Sequence, residues 1–163
     1  MDEIVLEKMI EYFGSDVRRI NHALKVWSFT RIISEKEKLD EEKKQILSIA
    51  AILHDIGIKE SERLYNSTAG KYQEKEGPPV AVKLLEGVDL RKEVLDRVCF
   101  LIGHHHTYSE VDDLDYQILI EADFLVNIFE DNMGKPEIQS IREKIFKTRA
   151  GTKILEDMYM GIE

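Results

Sequence analysis

Ile46-Leu47-Ser48-Ile49-Ala50-Ala51-Ile52-Leu53-His54-Asp55-Ile56-Gly57 is a nearly unbroken apolar run that stops at an imidazole and a carboxylate standing side by side. The dipeptide alone carries little weight, and its context decides the reading. The charged stretch Ser34 to Lys44 precedes it as a solvated helix end and a turn, so the run reads as a helix starting at Asp40 and delivering His54 and Asp55 at its C-terminal end, where Gly57 permits a turn. Two similar residues lie far away in apolar helical stretches. Asp123 has Leu119, Ile120 and Val126 one turn away, which turns its carboxylate toward the core. His22 shares a stripe with Arg19, Val26, Phe29 and Ile33. An unpaired carboxylate in the core would cost many kcal/mol or take up a proton, so a cation is the expected partner. His22, His54, Asp55 and Asp123 are therefore expected to form one buried metal site. Nitrogen and carboxylate donors suit a single divalent transition metal (iron, manganese, cobalt, nickel or zinc), whereas calcium favours all-oxygen shells.

The 163 residues fit one domain, and 43% hydrophobic content suffices for a core. With three prolines and 34% charged residues spread among apolar ones, the chain reads as all-α with short connections. Helices are expected over about 2–13, from Ser15 or Asp16 to about Ser34, from Asp40 to His54, from Pro78 to Glu86, from a cap at Asp89 to Gly103, over about 114–130, and over about 137–147 and 153–160. Residues Tyr65 to Gly77 lack periodicity and read as a loop flanking a pocket. No segment is apolar enough to span a membrane and no basic leader is visible, so a cytoplasmic location is expected. A net charge of -9 argues against nucleic-acid polymers and anionic membranes, but not against a small phosphorylated ligand. The sequence leaves oligomeric state open, a homodimer included. Cys99, the only cysteine, reads as a small buried hydrophobe.

The order His, His-Asp, Asp resembles the HD-domain phosphohydrolase superfamily. Arg19-Ile20-Asn21-His22-Ala23-Leu24-Lys25-Val26 looks like its opening helix, His54-Asp55-Ile56-Gly57 like its signature and Glu121-Ala122-Asp123-Phe124-Leu125 like its closing helix. The resemblance covers about residues 15–130 of a single HD-type helical domain expected over 1–163, with packing helices at about 137–160. It implies a helical bundle in which the four ligands hold a metal that assists hydrolysis of a phosphate ester, from a nucleotide or another small metabolite. In Gly103-His104-His105-His106, periodicity from Leu101 and Ile102 points His104 and His105 inward and His106 outward. The superfamily often uses histidines here for a second metal or the substrate phosphate. His104 and His105 are the expected substrate contacts, with His105 the first choice and the proton donor to the leaving oxygen. Arg19, with Arg18 beside it, is expected to clamp the phosphate, and Asp55 or Asp123 to orient the attacking water.

Some positions depart from the pattern. Superfamily members with two metals commonly carry another histidine where this chain has Gln73, which counts against a second tightly held ion. Ile58 stands where members acting on deoxynucleoside monophosphates often place glutamate, so an activating carboxylate is missing or displaced to Glu60, and the catalytic base stays open. Ile58 and Thr107-Tyr108-Ser109 also disfavour the cyclic-di-GMP branch. Two other readings follow: a di-iron oxygenase, as in some superfamily relatives, and a metal-bound nucleotide sensor without turnover. Tyr72, Tyr108 and Trp27 are candidates for stacking on a base, with packing the commoner role.

Overall fold

The computed structural model describes residues 1–161; residues 162 and 163, at the end of the expected domain, lie outside the described residues. The described residues form helices α1 (Asp2–Phe13), α2 (Val17–Lys36), α3 (Glu41–Leu53), α4 (Ile58–Tyr65), α5 (Gly70–Leu84), α6 (Lys92–Ile102), α7 (Leu114–Glu130), α8 (Lys135–Lys144) and α9 (Arg149–Tyr159), and no strand occurs among them. The fold is all-α, as expected. No helix among the described residues is long and apolar enough to cross a membrane.

Short polar side chains start the longer helices. Asp16 accepts from the Arg19 backbone N–H to open α2, and Asp40 from that of Lys43 to open α3. Every residue from Ile46 to Leu53 is buried, because α3 lies between α1, α2, α6 and α7. A helix covered on all sides needs no polar face, which accounts for the unbroken apolar run. Its one buried hydroxyl, Ser48, accepts from the Trp27 indole at 2.7 Å and donates to Asp2 at 2.6 Å. Trp27 is thus tied into the packing between α1, α2 and α3.

The expected loop over 65–77 is a correction. α4 ends at Tyr65, Asn66 takes a left-handed conformation (φ 50°), and α5 runs from Gly70 straight through Pro78 and Pro79. Pro78 does not begin the helix. The buried stripe of α5 is Gln73, Gly77 and Ala81, which has helical spacing but almost no hydrophobic signal. Small residues suit the close packing there. A Cβ on Gly57 would lie 2.6 Å from both the Gln73 carbonyl oxygen and the Gly77 nitrogen, and one on Gly77 would lie 2.6 Å from Ile102. This contact between backbones presses the chain just after His54-Asp55 against α5.

At the other end, buried Glu121 of α7 accepts from the Lys147 and Thr148 backbone N–H groups at 2.6 and 2.8 Å, and from Gln117 at 2.8 Å. Thr148 caps α9, so the last helix docks onto α7 and α2. α8 and α9 begin a few residues earlier than expected, with Pro136 in the first turn of α8.

Candidate metal centre

His22 projects from the second turn of α2, His54 and Asp55 follow the last residue of α3, and Asp123 lies mid-way along α7. All four meet. The His22 Nε2 lies 3.1 Å from His54 Nε2 and 3.1 Å from Asp123 Oδ1, and His54 Nε2 lies 3.7 Å from that same oxygen. Asp55 Oδ2 stands 3.5 Å from both imidazole nitrogens. His22, His54 and Asp123 are buried, while Asp55 keeps 21% of its side chain exposed.

The donor chemistry fits a divalent cation. His54 Nδ1 donates to the Ala51 carbonyl at 2.8 Å, and His105 Nδ1 to the Ile102 carbonyl at 2.8 Å. With Nδ1 holding the proton, a neutral ring presents its Nε2 lone pair toward the aspartates. His22 Nδ1 faces Glu130 Oε2 at 2.9 Å instead. Burial pushes Asp55 and Asp123 toward the neutral form, but the surrounding imidazoles hold both below the usual carboxylate range. Burial likewise opposes a charge on His22, but Asp123, Asp55 and Glu130 outweigh it and lift its pKa to about 9. Burial lowers that of His54. Two anionic carboxylates beside clustered imidazoles are a donor set that could hold a cation.

A second donor set shares Asp55. Its Oδ1 lies 3.4 Å from His105 Nε2, and Asp55, His105 and His106 each offer a donor atom within 4.8 Å of the others. The Nε2 atoms of His105 and His106 are buried without a hydrogen-bond partner among the described residues, as is Gln73 Oε1. His106 was expected to face outward, and this is a second correction. α6 stops at Ile102, so residues 103–107 turn instead of keeping the helical period. Glu74 of α5 accepts from the His106 backbone at 3.0 Å and from the Thr107 hydroxyl at 2.9 Å, folding the His106 ring in beside His105. Burial and the charge of His105 lower its pKa to about 4. His104 turns the other way. Its ring stacks on Phe100 and its Nδ1 donates to the Phe100 carbonyl at 2.7 Å, so it joins neither donor set.

A cleft of about 380 Å³ is lined by His22, Asp55, Arg18, Arg19, Ile58 and Thr68. Arg19 is held there by a forked contact to Glu62 at 2.6 and 3.1 Å and by Asp16 at 2.8 Å. Ile58 thus faces the site without a carboxylate, and Glu60 pairs with Arg63 instead of replacing it. The residues missed from the sequence are on α7. Asn127 donates to Asp123 Oδ1 at 2.9 Å, and Glu130 accepts from His22, four and seven residues beyond Asp123. Their helical spacing along an otherwise apolar helix was a usable signal.

The HD domain family model matches residues 19–148. The chain belongs to the HD-domain family. A crystal structure of a predicted HD superfamily hydrolase from an uncultured Thermotogales bacterium is similar at TM-score 0.68 and 28% identity, over 96% of this chain and 83% of that one. No curated protein matches the chain. The HD-domain match spans all four converging side chains and continues into the start of the segment that Glu121 anchors. HD domains bind divalent metals, and this one carries two His/Asp clusters of suitable chemistry.

Proposed function

We propose that this HD-domain protein is a metal-dependent phosphohydrolase acting on a nucleotide or another small phosphate ester. The observation that carries the reading is the convergence of His22, His54, Asp55 and Asp123 beside a cleft that also holds Arg18 and Arg19. Iron, manganese, cobalt, nickel or zinc suits the donors. Such an ion supplies Lewis acidity, lowering the pKa of a water toward neutrality and drawing charge from a phosphoryl oxygen.

Asp55, the ligand that lines the cleft with part of its side chain exposed, orients the attacking water. Arg19 already sits in the cleft with its forked guanidinium engaged by carboxylates, and a phosphate offers matching oxygens; Arg18 adds positive charge. His105 serves as the acid in its imidazolium form: burial opposes that charge but Asp55 raises its pKa, and with the Nδ1 proton donated to Ile102 the second proton sits on Nε2, available to the leaving oxygen. The cleft lies at the small end of the roughly 300–1,000 Å³ common for ligand sites. That size, with the net charge, favours a small substrate over a nucleic-acid polymer. A phosphate-release screen over nucleotides and sugar phosphates, with each metal added, tests the reading. Asp55→Ala is expected to lose both metal and activity; full metal content with undiminished turnover would refute it.

The shared Asp55 favours a second reading with two ions, in which His105 and His106 are ligands and His105 is not the acid. Two irons per chain with substrate-dependent oxygen uptake would select a di-iron oxygenase. Ile58 in the cleft keeps a nucleotide sensor in view, and ligand-induced stabilisation without product would select it.

A further inference from the structure

Three imidazoles turn toward the aspartates, and they are braced in two different ways. His54 and His105 each follow a helix C-terminus, where the carbonyls of the last turn have no partner within the helix. Each takes such a carbonyl three residues back, Ala51 for His54 and Ile102 for His105. His22 has no such option. It lies inside α2, where the carbonyls of the preceding turn are already engaged in the helix ladder. Its Nδ1 is met instead by Glu130 Oε2 at 2.9 Å, from the last residue of α7. Lys25, one turn beyond His22 on α2, fixes the other oxygen of Glu130 at 2.5 Å. The carboxylate is thus held from both sides by α2 and directed at the back of a single ring.

We propose that Glu130 is a positioning residue for the metal: it fixes the rotation of His22 and keeps the proton on Nδ1, so that Nε2 is offered to the ion. This rests on the metal reading above. On α7 the same helical stripe carries Asp123 as ligand, Asn127 as donor to that ligand and Glu130 as brace to His22. One rigid element therefore sets two of the four donors. His105 and His106 have no contact with this stripe through Glu130, so the effect is confined to the His22 side of the centre.

Zinc or cobalt(II) is titrated into metal-free protein against a chromophoric chelator, for wild type, Glu130→Gln and Glu130→Asp. Circular dichroism and melting of the metal-free forms report folding. In Glu130→Gln the single remaining oxygen faces Lys25, which leaves the NH2 against Nδ1–H, donor against donor, and about 10- to 100-fold weaker binding is expected, as for loss of other braces of ligand histidines. If that variant does not fold, Glu130→Asp, too short to reach His22, is expected to show the same loss. If two ions bind, only one affinity should fall, which a general loosening of the fold would not produce. A folded Glu130→Gln with affinity within about twofold of wild type overturns the proposal. A wild type that binds neither ion removes the metal reading and this inference together.

Discussion

His22 gives the centre its clearest pH signature. Its pKa in the metal-free protein, about 9, lies above the unfolded value, so its contribution to stability is fully present below about pH 6.5 and is lost as pH rises through about 9. A metal needs the same Nε2, so ion binding should expel a proton and affinity should rise with pH across that window. Zinc titrations at several pH values, with proton release measured in weak buffer, check this; a flat profile would contradict it. Arg19 makes a separate prediction. Lysine keeps the charge but loses the fork, so Arg19→Lys is expected to raise KM about tenfold with a smaller effect on kcat. The convergence of His22, His54, Asp55 and Asp123 was legible because a carboxylate or imidazole in an apolar helical stripe demands a partner. His106 was not, since it depends on where α6 stops; Asn127 and Glu130 share the stripe of Asp123 on α7 and were readable from their spacing, although the partner of Glu130, His22, comes from α2.

At the scale of elements, most helices were legible from periodicity, α2 and α3 also from their caps at Asp16 and Asp40; α4 was not expected, the cap of α6 is Arg91 and not Asp89, and the clearest exception is α5. Its packing stripe of Gln73, Gly77 and Ala81 buries little apolar surface, so a reading based on hydrophobic period finds nothing there. What holds α5 in place is close contact between backbones, which composition does not reveal. That contact predicts an unusual sensitivity to one methyl group. Gly57→Ala places a Cβ 2.6 Å from backbone atoms of Gln73 and Gly77, and backbone cannot move aside as a flexible side chain can. A loss of about 1–3 kcal/mol is expected in denaturant unfolding. Because Gly57 follows Asp55 by two residues, the shift should also weaken metal binding. Gly14→Ala is the comparison for backbone strain alone: Gly14 has a φ of 59° but nothing within 4 Å of an added Cβ, so metal affinity should stay unchanged there.

Across the whole molecule, the candidate metal ligands come from α2, from the turn after α3 and from α7, spanning residues 22 to 123. An ion held by all of them would tie together helices that are distant in sequence; without it His22 pairs with Asp123 at 3.1 Å and with Asp55 at 3.5 Å. An ion bound only by the folded state stabilises it by mass action, about 2.7 kcal/mol when free ion exceeds Kd by about 100-fold. Adding zinc or manganese to metal-free protein is therefore expected to raise Tm by several degrees, and a chelator to reverse the shift. Asp123→Asn should abolish the shift, because the carboxylate that faces the Nε2 atoms of His22 and His54 is then lost. Thr148→Ala behaves differently. It removes the cap of α9 and one partner of buried Glu121, so Tm should fall with and without metal by a similar amount, equivalent to about 1–2 kcal/mol. A metal-dependent shift that persists in Asp123→Asn would mean that the stabilising ion binds elsewhere.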